Sequence, residues 1–269
     1  MAVKIEVSTV NKCDNRCAYC PSINKNLDRK SKVEYMTLED AKRYFSKIPR
    51  PAEIFFGGHS DPMRAPEIYD IVKYLREEGV FVYMLTTLHK VDKSVVRKVF
   101  SLPNVHARIH MVDSNGYTGM KLSPELIKNY EIAIKLINRN GGKVYGCCWG
   151  DLPIELEHLR NAFETPIDMN MQTLCDFGGN IKHKWAKPYY IAGPIKCRRN
   201  HTCMHLLPDG RLSVCETDWA LNHIIGDLNE NTYEEIVNGD AYKRYKEILL
   251  SQDEDCVCRH CTDAIPLDK

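Results

Sequence analysis

Residues 3–20 read VKIEVSTVNKCDNRCAYC. The first eight alternate and are rich in β-branched side chains, which predicts a strand. A loop with Asp14, Asn15 and Pro21 follows at once and carries Cys13, Cys17 and Cys20. Thiols in C-x3-C-x2-C spacing on one loop suit an iron–sulfur cluster or zinc, because both take soft sulfur ligands. With three ligands, a cuboidal cluster keeps one iron open to a substrate, whereas a structural zinc would borrow a fourth cysteine from elsewhere in the chain.

Working outward, strand and helix signals alternate. Thr37 and Asp40 form a capping-box pattern opening a helix that Pro51 closes. EIFF (53–56) reads as a strand running into Gly57 and Gly58, and Pro66 opens a helix to about Glu78. Strands over 80–87 (VFVYMLTT), 105–111 (VHARIHM), 143–149 (KVYGCCW) and 167–171 (IDMNM) alternate with helices over 92–101, 124–140 and about 153–163. Six strands separated by helices predict an α/β domain of parallel βαβ units, either an open sheet or a barrel short of the eight-fold form. From residue 176 the pattern changes. Residues 176–196 carry Gly178, Gly179, Gly193, Pro188 and Pro194 and read as a connection. Cys197, Cys203 and Cys215 then surround a hairpin turning at Asp209–Gly210, and a helix over about 232–250 leads to Cys256, Cys258 and Cys261.

Composition narrows the setting. The 269 residues are 43% hydrophobic and 27% charged, enough for a full core. Lys and Arg number 37 against 36 Asp and Glu, so no bulk charge recommends nucleic acid as a partner. No signal peptide opens the chain and no apolar run reaches the roughly 20 residues of a membrane span. The twelve cysteines therefore point to metal-bound thiolates in a cytoplasmic protein and not to a secreted disulfide framework.

KCDNRCAYC, placed after the first strand of a βα-repeat chain, resembles the radical S-adenosylmethionine (radical SAM; the cofactor is AdoMet) superfamily over residues 3–175. The resemblance implies a partial (β/α)6 barrel over 1–175 and a [4Fe-4S] cluster on Cys13, Cys17 and Cys20 whose open iron binds AdoMet. It also implies an electron from an external flavodoxin- or ferredoxin-type donor, and cleavage of AdoMet to methionine and a 5′-deoxyadenosyl radical. Gly57–Gly58 match the glycine motif along the AdoMet amine, where a Cβ would block the approach. The usual acidic residue and proline are replaced by His59-Ser60-Asp61-Pro62. Tyr19 falls where the family contacts adenine through the backbone, and Thr86 and Thr87 where polar groups approach ribose or carboxylate. Over 197–269, Cys197, Gly210 and Cys215 in C-x12-G-x4-C spacing, followed by IGDL (225–228) and Cys258-x2-Cys261, resemble the twitch module, a reduced form of SPASM. That implies a second [4Fe-4S] cluster, with two thiolates near the base of a hairpin and two from the CxxC turn. Cys203 and Cys256 are alternative ligands, and a zinc ribbon is the competing use of the four thiols.

Two strands carry polar faces. His106, Arg108 and His110 oppose Val105, Ala107, Ile109 and Met111, and Asp168, Asn170 and Gln172 oppose Ile167, Met169 and Met171. In a βα barrel the apolar face packs on helices, so the polar faces line a cavity suited to a polar substrate. Oxidation of a substrate radical also needs a proton acceptor, and Arg108, His110, Asp113, Tyr145 and Asp168 stand at expected carboxyl ends of strands. Cys147, Cys148 and Cys175 read as small buried hydrophobes; His201 and His205 flank Cys203 and read as members of a solvated loop, with a metal-ligand role as the alternative. The functional expectation is oxidation of a sugar- or aminocyclitol-like small molecule with the auxiliary cluster taking the second electron. The first strand starts almost at the N-terminus, leaving no room for a leader-binding domain ahead of it. The alternatives are crosslinking of a ribosomally made peptide and, from another class, a non-catalytic zinc or iron–sulfur protein.

Overall fold

The computed structural model describes residues 2–23, 33–167, 176, 178–181, 188–199, 203–252 and 254–267. Strands β1 (Val3–Val7), β2 (Ala52–Phe56), β3 (Phe81–Thr86), β4 (Val105–His110) and β5 (Val144–Cys147) alternate with helices α1 (Leu38–Phe45), α2 (Ile68–Glu77), α3 (Lys93–Phe100) and α4 (Pro124–Arg139). These strands pair in parallel in the spatial order β5-β4-β3-β2-β1. The architecture is the expected partial (β/α) barrel with a small C-terminal module. The sixth expected strand lies outside the described residues after Ile167.

Local signals set the helix starts. Thr37 accepts from Asp40 N at 3.1 Å while the Asp40 carboxylate receives Thr37 N at 3.1 Å, a closed capping box. Ser123 caps α4 with Pro124 in its first turn, where the missing N–H costs nothing. Strand alternation then decides which face is dry. Ile5, Val7, Ile54, Phe56, Val82, Met84, Ala107 and Ile109 are buried against the helices with Phe45, Ile71, Leu75, Val96 and Ile134. Each such side chain contributes about 1.5–3 kcal/mol relative to exposure. Two expected helices differ. Residues 154–159 form a 3-10 helix, and the 232–250 segment is broken at Gly239 into α5 (Tyr233–Asn238) and α6 (Asp240–Leu250).

The C-terminal strands extend the same sheet. β7 (Cys203–Leu206) pairs in parallel with β1, matching Lys4 to Cys203 and Glu6 to His205. β8 (Arg211–Ser213) and β9 (Ile224–Asp227) continue it antiparallel after the Asp209–Gly210 turn. β6 (Ile195–Cys197) and β10 (Ala264–Pro266) form a separate two-stranded sheet. This corrects the expected hairpin geometry: the cysteines flanking the hairpin are Cys203 and Cys215, whereas Cys197 sits on β6. His205 is also corrected, being fully buried on β7 and not in a solvated loop.

Candidate functional site

The loop after β1 is pinned from two sides. Ala18 N donates to Tyr117 O at 2.7 Å, and a Cβ on Gly119 would come within 2.7 Å of the Arg16 carbonyl. Asp113, an expected proton acceptor, instead receives Tyr117 N and Thr118 N, each at 2.8 Å, and so builds the loop that holds Ala18. On the other side Asn15 Nδ2 donates to Thr87 Oγ1 at 3.1 Å and Asn15 Oδ1 accepts from His89 Nδ1 at 2.8 Å. Cys13 and Cys17 are thereby enclosed. Burial first, then the neighbouring charges, raises both thiols, Cys17 to about 12. Such thiols stay protonated until a metal displaces the proton.

Asp61 is the centre of the adjoining network, and sequence reasoning gave it no role. It receives Thr86 Oγ1 at 2.8 Å, Thr87 N at 2.8 Å, Thr87 Oγ1 at 2.6 Å and Met63 N at 3.1 Å. Thr86 and Thr87 are therefore engaged by a carboxylate that ties β3 to the loop after β2. Gly57 and Gly58 are required there by packing within the protein. A Cβ on Gly57 would meet Leu85 Cδ1 at 2.6 Å, and one on Gly58, at φ +63°, would meet His205 Nε2 at 2.6 Å and Ser8 Oγ at 2.7 Å. Gly58 N donates to Glu6 Oε1 at 2.8 Å. Two polar atoms beside these loops, Ser60 Oγ and Trp149 Nε1, are buried without a hydrogen-bond partner among the described residues. Trp149 packs on Tyr19 with ring centroids 5.4 Å apart, next to Cys17 and Cys20. Unmatched buried polar atoms fit a polar cofactor here, since leaving each one unpaired costs about 1–3 kcal/mol.

The second set converges on one cavity. Cys197, Cys203, Cys215, Cys258 and Cys261 line it together with Arg199 and Asp263. Cys256 is buried in the core instead, so of the two alternative ligands only Cys203 faces the cavity. Among the described residues no three Cys, His, Asp or Glu side chains close around a point as they would about a single ion; the thiols enclose a space. Tyr245 OH lies 2.7 Å from Cys258 Sγ, and Cys215 Sγ donates to Glu216 Oε2 at 3.0 Å. Between the last two cysteines, Arg259 is fully buried. Its guanidinium donates to Glu254 O and Ser251 O, each at 2.7 Å, and to Ile191 O and Gly193 O, clamping two connecting segments around the CxxC turn.

The family model of the radical SAM superfamily matches residues 7–153. The chain belongs to the radical SAM superfamily. A second model, for the SPASM iron–sulfur cluster-binding domain, matches residues 197–262, the stretch that brings the five thiols together. No curated protein matches the chain by sequence. Among solved structures it is similar to BtrN in complex with AdoMet and 2-DOIA, at TM-score 0.60 and 13% identity, covering 99% of this chain and 94% of that one. Native anSMEcpe with bound AdoMet and Kp18Cys peptide gives TM-score 0.58 at 11% identity, covering 97% and 87%. Streptococcus suis SuiB bound to precursor peptide SuiA gives 0.54 at 13%, covering 97% and 70%. As a radical SAM enzyme with an auxiliary-cluster module, the chain binds AdoMet and iron–sulfur clusters. No helix among the described residues is long and apolar enough to cross a membrane.

The radical SAM sheet turns its second face away from the helices. Arg108 lies opposite Tyr145 in register and hydrogen-bonds Tyr83, and His110 lies opposite Cys147. Burial pushes the Tyr83 hydroxyl up. His106, at the far end of β4, accepts Lys143 N at 3.1 Å. Asp168, Asn170, Gln172, Cys175 and His201 lie outside the described residues. Cys147 and Cys148 are buried. The same face carries Glu6, only 9% exposed, which sequence reasoning passed over although its alternation with Ile5 and Val7 places it there. Burial and the charge of Glu216 push Glu6 up to about 8, while the Arg199 guanidinium holds Glu216 low.

Proposed function

We propose that this radical SAM enzyme oxidises a polar small molecule of the sugar or aminocyclitol kind. Cys13, Cys17 and Cys20 hold the AdoMet-binding [4Fe-4S] cluster, and Cys197, Cys215, Cys258 and Cys261 hold a second. When bound, these groups supply the 5′-deoxyadenosyl radical and an acceptor for the second electron. The chain's own residues bind and orient. Arg108 and Tyr145 present a donor-rich wall to hydroxyl and amino groups, and the His110 imidazole, at the carboxyl end of β4, takes the substrate proton. Asp168, outside the described residues, is proposed from the sequence pattern alone as a further polar group for the substrate. Tyr19, Gly57, Gly58, Thr86 and Thr87 position AdoMet, the last two through Asp61.

The observation carrying this reading is the five-thiol cavity joined through β7 to the strand that opens onto the Cys13–Cys20 loop. The small-substrate reading draws its support from the likeness to BtrN, solved with AdoMet and 2-DOIA. The peptide-bound anSMEcpe structure keeps peptide modification as the second reading. Anaerobic iron and sulfide quantitation with an AdoMet-cleavage assay tests it, on the wild type and on a Cys13/Cys17/Cys20 triple Ala variant. We expect about eight iron atoms per chain falling to about four, with 5′-deoxyadenosine lost. In the wild type, aminocyclitols should stimulate 5′-deoxyadenosine formation. Zinc in place of iron sinks the reading, and stimulation by peptides alone transfers it to the second.

A further inference from the structure

His59 occupies the place where the glycine motif usually carries an acidic residue, and it does not turn toward the Cys13–Cys20 loop. Its Nε2 donates to Glu216 O at 2.8 Å, one residue past Cys215. Its ring stacks on Trp219 at 4.1 Å and 25°, and meets His205 edge-on at 4.3 Å. The backbone beside it is equally constrained. Ser8 Oγ accepts His59 N at 2.8 Å, shares a hydrogen bond with His205 Nε2 at 2.8 Å and lies 3.3 Å from Gly57 O, so it ties β1, the glycine loop and β7 together. His59 is 2% exposed and His205 fully buried. The loop after β2 and the Cys215 turn are thus one packed, hydrogen-bonded body, and a shift of either moves the other.

We propose that His59 is a positioning residue that couples AdoMet binding at the glycine loop to the reduction potential of the auxiliary cluster. This rests on the two-cluster reading above. Coupling of this kind is reciprocal: whatever factor separates ligand affinity for the oxidised and reduced auxiliary cluster appears as a shift of its potential when the ligand binds. Hydrogen bonding and dipole orientation near a thiolate ligand are established levers on such potentials.

The test is a potentiometric titration of the auxiliary cluster in the anaerobically reconstituted full chain, followed by electron paramagnetic resonance, with and without S-adenosylhomocysteine as a ligand that cannot be cleaved. For the wild type we expect a shift of about 40 mV, the equivalent of a fivefold affinity difference at 59 mV per factor of ten. His59→Phe keeps a ring against Trp219 and removes the donor, so the shift should vanish while the iron content and auxiliary signal persist. His59→Gln restores an N–H toward Glu216 O and should recover most of it, which also guards against a folding defect in the Phe variant. An unshifted potential in the wild type, or an equal shift in His59→Phe, overturns the proposal and leaves the two-cluster reading standing. About four iron atoms per wild-type chain overturns both.

Discussion

Cys13, Cys17 and Cys20 lie on one loop, within reach of each other by chain connectivity alone, whereas the five thiols of the second site arrive from β6, β7, the end of β8 and the turn after α6. The first site needs only to be held against its neighbours, which Asn15, Asp61 and Asp113 do through side-chain bonds to adjoining loops. The second does not exist until the sheet extension and the two-stranded β6–β10 sheet have both formed. A locally encoded metal site should therefore survive damage elsewhere, and an assembled one should not.

Removing Arg259 is the sharpest way to separate them. Arg259→Leu leaves several buried carbonyls unpaired and should cost about 3–5 kcal/mol. Iron should fall from about eight to about four per chain, with the signal of the first cluster retained in electron paramagnetic resonance. Loss of both clusters would show that the sites are not independent. The reverse experiment is Asp61→Ala. Losing four hydrogen bonds should cost about 2–4 kcal/mol locally and lower 5′-deoxyadenosine formation at least tenfold, with the auxiliary cluster still at full iron content. Equal loss at both sites breaks the comparison.

The smallest expected effect lies on the boundary between the regions, at Glu6. Burial lifts its carboxyl from 4.5 to about 8 in the folded chain. Between those values the folded state holds a proton that the unfolded state has released, so stability falls as pH rises. Below 4.5 both states are protonated and stability no longer changes with pH, being highest there; above about 8 both are ionised and the full loss has been taken. Thermal unfolding of Glu6→Gln from pH 5 to 8 should show a flatter profile than the wild type. An identical slope would place the titration elsewhere.

The βα order and all the helices up to α4 were legible from local signals, because capping residues and alternation act over a few residues and report on themselves. Thr37 with Asp40 and Ser123 before Pro124 did so. Gly239 breaking the last helix was legible in principle, but the charged stretch around it carried the stronger helical pattern. Asp61, Ser8 and His59 were not legible as a network, since the partners that join them to other elements lie between 25 and 197 residues away along the chain. Cys203 stood in the sequence as one of two equal alternatives, and only its place on β7 turned it toward the cavity while Cys256 went into the core.

By itself, the sequence determined the presence of a three-thiol loop after a first strand, the parallel α/β class and the existence of a second cysteine-rich module. Those depend on spacing and periodicity, which are properties of neighbouring residues. Only the tertiary structure decided that the module adds its strands to the same sheet through β1 and β7, that five thiols share one cavity, and that His59 bridges the two halves. These follow from long-range pairing, where burial and hydrogen-bond satisfaction select among many contacts that local patterns leave equally open.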